Sequence, residues 1–535
     1  MERWCDGSLE IVPVAGEIDA RKAINRMQST QDRLAIVLSD EIGGVSLLQY
    51  IHMSHANTQL ALLDSEKGRR NDYIVQLDMS PDALEVALEE LFFAWNPPNP
   101  RVRVTGPPGE REGHFLRRFL YLNGIPYAWL DITQSEEITV YVDGATIPHP
   151  TPSQLYAALG IIPAPKHSLK YPYDLVVVGG GPAGLSAALS ASLVGFSTLV
   201  IEAQRPGGTA TASINLIRNY LGFPGGVAGT RLAKLALEQL ATLEIDWRSS
   251  HSAHALRQTG DGRYEIRVGK HPDDVVSAGM VLLACGQIPD RLPLGEAQWT
   301  EERLLNRGVY YGAEPSDRLV ELGRDVVVVG GGDSAGQAAL MFAKGGSKSV
   351  ALVAHEGPTM SKTLWDEVKD YAPGLIQTYW GNITEFSGTD SLNKVLVKGR
   401  WYDVPISATS AYINIGGTPN TTWLDDSGIE LGDGYIRTDI YLADSLRQQE
   451  ALPFETSLPG VFAAGDVRVN SSRRVGQAVG QGTAAVASME RYIRKNPQVL
   501  ADPESTAHLL LDIEDFDNPL GRRGFKQWLL RLLSQ

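Results

Sequence analysis

The stretch LVVVGGGPAGLSAA, Leu175 to Ala188, runs from β-branched residues through three consecutive glycines into an alanine-rich segment. Four apolar residues in a row predict a buried parallel strand, the glycines a tight turn and the alanines a helix. In that order GxGxxG predicts a dinucleotide-binding turn. Gly179 permits the turn, Gly181 lets a pyrophosphate approach the backbone, and Gly184 lets helix and strand pack closely. Pro182 and Ala183 open the helix whose N-terminus faces the phosphates. The next strand, Ser197 to Ile201, ends in Glu202, at the spacing where a carboxylate accepts from a ribose hydroxyl. That acid specifies an adenosine without a 2′-phosphate.

A second copy follows at VVVVGGGDSAGQAA, Val326 to Ala339. Its form is GxGxxA, with Gly330, Gly332 and Ala335 as the spaced small residues and Asp333 and Ser334 opening the helix. Two such loops predict an α/β chain with two Rossmann-like dinucleotide-binding domains.

Far downstream, PGVFAAGDV (Pro459 to Val467) is a short apolar strand ending in Gly465 and Asp466, able to bring a carboxylate to a ribityl hydroxyl of FAD. Val475, Gly476, Gly480 and Gly482 suit a helix start packed close to an isoalloxazine. Further pieces are Pro206-Gly207-Gly208, Ala284-Cys285-Gly286 and Ile415 to Asn420. With these the chain resembles the two-dinucleotide flavoprotein superfamily, and within it the low-molecular-weight thioredoxin reductase branch, over about residues 171 to 492. The resemblance implies FAD held by the first loop, Glu202, Gly207, Gly208, Gly286, Gly465, Asp466 and Val475. It also implies a flavin that meets its donor between the two nucleotide domains, and a homodimer. Residues 171–296 and 421–492 are expected to form the FAD domain and 297–420 an NAD(P)-type domain.

Where that branch carries its CxxC motif, just before the second glycine loop, this sequence has Gly308-Val-Tyr-Tyr-Gly-Ala313. The chain contains two cysteines, Cys5 and Cys285, far apart in sequence. Thiol exchange needs an attacking thiolate and a second thiol to resolve the mixed disulfide, so intrinsic dithiol chemistry is not expected. Cys285 lies in an apolar run and reads as a small buried hydrophobe. Cys5 reads as an incidental terminal thiol. Tyr310 and Tyr311 stand near the place of the missing thiols, and core packing is the simpler expectation for them than shielding of the flavin.

The branch's NADPH-dependent members clamp the 2′-phosphate with arginines after the second strand, a use of bidentate charged groups. Here no arginine occurs between Arg324 and Arg400, and Glu356 would repel a 2′-phosphate; His355 and Lys362 supply some charge. NADPH is disfavoured, NADH or a second FAD fits an acid there better, and a vestigial site with electrons arriving from a protein donor such as ferredoxin also remains open. No catalytic acid or base is assigned, because flavin hydride transfer needs orientation more than a proton donor.

Upstream, Asn96-Pro-Pro-Asn-Pro100 predicts a linker. Residues 1–95 resemble a shortened, degenerate response-regulator receiver. Asp40 would stand at the phosphoacceptor position, Ser65 at the hydroxyl position and Gln76 where that family has lysine, while the paired acids after the first strand are missing. Residues 101–161 resemble a thioredoxin-like unit whose active-site turn, Thr105 to Glu110, has no cysteine. The three-part order resembles bacterial proteins described as fused response regulator and thioredoxin reductase. Residues 493–535 form a tail in which Phe525, Trp528, Leu529 and Leu532 recur at helical spacing, more suited to packing on protein than to a membrane surface.

A formal charge of -15 and a pI near 5.2 argue against nucleic acid as a partner. No signal region, membrane span or metal-ligand cluster is evident, so a bacterial cytoplasmic setting is expected. The expectation is an FAD-dependent oxidoreductase passing electrons from a pyridine nucleotide or ferredoxin-like donor to an external acceptor. The opposing expectation is a non-catalytic redox sensor acting through its N-terminal modules.

Overall fold

The computed structural model describes residues 36–39, 59–63, 75–77 and 101–501, less 107–110, 124, 126, 131–136, 163–165, 270, 372, 401–402, 444–447 and 449. Asp40, Ser65, Cys5 and the apolar tail helix lie outside the described residues, and of Gln76 only its strand is described. Two compact units emerge. Of the described residues, one takes in those up to Leu159, Thr211–Lys234 and Pro289–Gly416; the other holds Gly160–Ala210, Leu235–Ile288 and those from Gly417 onward.

The second unit is built on a seven-stranded sheet. Its order is Ile245–Ser249, Thr198–Glu202, Pro172–Val178, Val275–Leu283, Tyr264–Val268 and Ala253–Gln258, with Val461–Ala463 also pairing to Val275–Leu283. The first four are mutually parallel and the next two antiparallel. Residues of Pro172–Val178 and Thr198–Glu202 are buried on both faces, the reason these strands read as unbroken apolar runs rather than alternating ones. On the sheet lies helix Pro182–Leu193, which buries Leu185 and the small residues Ala183, Gly184, Ala187, Ala188 and Ala191. Such small residues let helix Val475–Lys495 approach closely: a Cβ on Gly482 would stand 2.1 Å from the Ala183 carbonyl oxygen, and Ser186 Oγ donates to the Val479 oxygen. After this helix the chain returns to the sheet. The Val499 oxygen would lie 2.2 Å from a Cβ on Gly279, and Ala501 N donates to Asp174 Oδ1 at 2.6 Å.

In the other unit the large sheet runs Val309–Tyr311, Ser410–Ile413, Asp325–Val329, Ser349–Ala354 and Ile376–Ser387, all parallel, then Lys394–Gly399 and Asp403–Ser407, antiparallel. Alternate residues of Asp325–Val329 serve opposite cores. Val326 and Val328 pack with Ala335, Ala338, Ala339 and Phe342 of helix Asp333–Lys344, while Val327 and Val329 pack with Phe386, Val395 and Val397.

The same unit contains a four-stranded sheet ordered Tyr127–Leu130, Val102–Thr105, Thr139–Val142 and Ala145–Pro148. Its first pair is parallel and joined by helix Arg111–Leu122; the other two pairs are antiparallel, and helix Pro152–Leu159 follows. Val102, Val104, Val140 and Val142 are buried with Leu116, Leu120, Leu155 and Tyr156. Strands Ile36–Ser39, Gln59–Leu63 and Val75–Leu77 form a separate three-stranded parallel sheet in that order.

Candidate functional site

The first glycine loop is fixed by contacts that only glycine tolerates. Gly179 has φ +107°, and a Cβ there would meet the Ala284 carbonyl oxygen at 2.3 Å; one on Gly184 would meet the Gly179 oxygen at 1.8 Å. Gly181 caps helix Pro182–Leu193 in extended conformation, with Pro182 at the first turn. A Cβ on Gly181 would find only the Gly208 Cα, at 4.0 Å, so the surface over the helix N-terminus is open backbone. Gly207 N donates to the Gly180 oxygen at 2.7 Å and brings the second glycine pair to the loop.

Glu202 closes this site from the end of its strand. Its carboxylate accepts from Gly180 N at 2.6 Å, Gln204 N at 2.7 Å and Arg205 N at 3.0 Å. Burial pushes its carboxyl upward and the three N–H donors oppose that shift. Gly465 lies over the start of the same helix, where its Cβ would be 3.0 Å from that of Ala183. Asp466 follows, half-buried, accepting from Ser471 Oγ at 3.1 Å, its carboxyl raised by desolvation. Gly286 adopts φ +60° and its oxygen accepts from Asn420 N; Val475 begins helix Val475–Lys495. Gly179, Gly184, Glu202, Gly207, Gly208 and Gly465 are thus joined by direct contacts around the first turn of one helix. The sequence reading missed Gln481, whose Oε1 accepts from Gly465 N at 2.7 Å. Its place six residues into the last helix carries no motif that would have singled it out.

The second loop repeats the first in its helix cap and in its turn contacts. Gly332 caps helix Asp333–Lys344 at φ -87°, ψ -179°, against -74° and -176° for Gly181. Gly330, at φ +142°, would place a Cβ 2.2 Å from the Asn414 oxygen and 3.1 Å from Ala335 Cβ. Thr359 N donates to the Gly331 oxygen at 2.7 Å, as Gly207 N does to Gly180. Strand register then identifies the counterpart of Glu202. Val178 pairs with Ile201, the residue before Glu202, and Val329 pairs with Val353, the residue before Ala354. Ala354 therefore holds the acid's place. Glu356 lies two residues on, 88% exposed, with Oε1 3.5 Å from His355 Nε2. Asp333 is engaged by Ser361 N at 2.8 Å. Ser334 is exposed on the first turn of the helix and Ala335 buried.

Cys285 packs against the second unit's core, donates from Sγ to the Asn420 oxygen at 3.2 Å, and has its thiol pushed up to about 12 by desolvation. Tyr310 is 6% exposed and belongs to the core around helix Asp333–Lys344. The Tyr311 hydroxyl accepts from Leu292 N at 2.9 Å beneath Arg291. Both tyrosines are packing residues. Among the described residues no group of three or more His, Cys, Asp or Glu could hold a metal ion, and no helix is long and apolar enough to cross a membrane.

Two Gly-loop domains of this construction, one interrupted by the other in sequence, define the pyridine nucleotide-disulphide oxidoreductases, and residues 173–482 match that family. The chain belongs to it, and is a thioredoxin reductase-like flavoprotein oxidoreductase. It is 29% identical over 324 residues to the 34.2 kDa protein in the rubredoxin operon of Clostridium pasteurianum, covering 60% of this chain and 97% of that one. It is 27% identical over 332 residues to the thioredoxin reductase of Bacillus subtilis, covering 61% and 97%. The thioredoxin reductase structure of Lactococcus lactis in its FR conformation matches with TM-score 0.51 at 25% identity, over 60% of this chain and 99% of that one. Each of these matches covers about 60% of this chain.

Membership implies FAD and NAD(P)H. The residues of the first site fit FAD: the loop is bare backbone over a helix N-terminus, and Glu202 and Asp466 present carboxylates at its two sides.

Proposed function

We propose that this chain is an FAD-dependent oxidoreductase that accepts electrons from a reduced donor and delivers them to an external acceptor without thiol exchange of its own. When bound, FAD supplies the two-electron relay. Gly179, Gly181 and Gly184 admit its pyrophosphate, Glu202 anchors the adenosine ribose and Asp466 the ribityl chain. The observation that carries the reading is the complete first site beside a lone, half-buried Cys285 held neutral by desolvation. Among the described residues Cys285 is the one free cysteine, so a mixed disulfide on it would find no resolving thiol there.

NADH or NADPH is the donor class that family membership favours, and the intact Gly330–Gly332 turn supports it. A second reading, an electron-transfer protein of ferredoxin type as donor, draws support from Ala354, which leaves the second loop without a ribose acid. A second FAD is disfavoured by the same residue. The small domain's strand order, with its first pair parallel and the later hairpin antiparallel, supports a thioredoxin-like unit without thiol chemistry. A cytoplasmic homodimer is the setting proposed.

Anaerobic titration of the purified flavoprotein with NADH, NADPH and reduced ferredoxin in parallel, following the flavin absorbance band, tests this. Bleaching by a nicotinamide supports the first reading, and bleaching by ferredoxin alone the second. A flavin reduced by none of the three would count against an oxidoreductase and favour a non-catalytic sensor.

A further inference from the structure

We propose that the face of the second nucleotide domain bearing the segment Gly308 to Asp317, where the thioredoxin reductase branch carries its dithiol, serves here as a seat for the chain's own small domain, locked by Arg118 on Asp317 and His114 on Tyr310. The inference is independent of the electron donor.

Helix Arg111–Leu122 of the small domain supplies both locking side chains, four residues apart and therefore on one face. Arg118 grips Asp317 with both arms of its fork, Nε to Oδ1 at 2.9 Å and Nη2 to Oδ2 at 2.5 Å. Its Nη2 also donates to the Gly312 oxygen at 3.0 Å, and Nη1 lies 3.5 Å from Glu314 Oε1. Asp317 is 1% exposed and accepts in addition from Glu314 N at 2.8 Å. The imidazole of His114, 5% exposed, stacks on Tyr310 at 4.0 Å and 22°, and the stack continues through Tyr412 at 5.1 Å to Phe342 at 4.5 Å from Tyr412. Burial, then the Arg118 charge, hold the imidazole pKa well below its ordinary value.

A bidentate pair of buried charges is stable only when both partners are in place, because either alone is left desolvated and uncompensated. Undocking the small domain would strip Asp317 and Glu314 of Arg118 and expose Tyr310. The ten-residue segment is thus shaped to be covered, and a protein partner arriving from solution would find it occupied in cis.

The test is hydrogen–deuterium exchange on the full-length flavoprotein carrying Arg118→Glu, Asp317→Arg or both. Each single change is expected to raise amide exchange in Val309–Tyr311 and in helix Arg111–Leu122 by roughly tenfold or more, well within the loss of one partner of a buried pair. The double swap is expected to recover protection relative to either single change. Far-ultraviolet circular dichroism and the thermal unfolding transition report folding; should Asp317→Arg lose them, His114→Ala with Arg118→Met probes the lock from the small-domain side alone. Unchanged exchange in the single variants, or no recovery in the swap, overturns the proposal.

Discussion

Glu202 and Ala354 occupy the same register position in two copies of one strand–turn–helix unit, one residue beyond the partner of the last residue before each glycine loop. The first copy keeps a carboxylate bound to Gly180 N and the second has only a methyl group, its Cβ 3.5 Å from where a Gly331 side chain would begin. The two loops therefore share a turn and helix cap and differ at the position proposed to recognise ribose.

Replacing Glu202 by Gln puts an amide where Gly180, Gln204 and Arg205 all offer N–H groups. A charge-assisted hydrogen bond contributes about 1.5–3 kcal/mol, so flavin retention is expected to fall by roughly tenfold or more. The flavin-to-protein absorbance ratio after gel filtration reads this directly.

Gly184 and Gly480 make opposite predictions although both lie in helices. A methyl on Gly184 meets a carbonyl oxygen at 1.8 Å, whereas one on Gly480 meets nothing within 4 Å. Gly184→Ala is expected to lower stability by at least about 1–3 kcal/mol and to yield little flavoprotein. In the apoprotein Gly480→Ala is expected to gain about 0.5–1 kcal/mol. Thermal unfolding of both apoproteins separates them; equal shifts would contradict the loop geometry.

With its thiol pushed up to about 12, Cys285 stays protonated through the physiological range. The thiolate is the reactive form, so iodoacetamide at pH 8 is expected to leave Cys285 unmodified in the native protein and to alkylate it in denaturant. Turnover of Cys285→Ala is expected to match the parent. Rapid native alkylation, read by peptide mass spectrometry, would restore a redox role for this thiol.

Glu321 is 1% exposed and accepts at Oε1 from Ser410 Oγ at 2.6 Å and Tyr412 OH at 3.0 Å; burial raises its carboxyl above the usual glutamate range. A raised folded-state pKa means that the folded state favours the protonated acid, so stability is lost as pH rises from about 4.3, the unfolded value, through the folded one. Glu321→Gln removes that loss. Its melting temperature is expected to exceed the parent's at pH 7 and to converge on it near pH 4, and a constant difference across that range would refute the assignment.

The Gly179–Glu202 part of the first site was legible because it is local: strand, glycines, helix and acid follow one another within thirty residues. Asp466 was legible only through resemblance, since nothing in Gly465-Asp466 itself says which distant loop it meets. Glu356 misled because sequence shows the nearest acid after a strand, whereas hydrogen-bond register decides which residue stands beside the loop, and register gives Ala354. The Arg118–Asp317 pair spans 199 positions and obeys no period, so only the folded chain reveals it. Thr211–Lys234, assigned by continuity to the FAD region, falls instead in the unit of the second nucleotide domain, where Ile214 packs against its core.

Strand Val461–Ala463 completes the sheet of the flavin unit by pairing with Val281–Leu283, and it is made about 180 residues after them. At roughly 5–20 residues per second, a ribosome needs on the order of 10–40 s to cover that interval. The whole Val309–Ile413 sheet is synthesised in the meantime. The inserted domain can thus finish folding while its host is still open along one strand edge, so that in translation the nucleotide domain nested second in the sequence is the first to close.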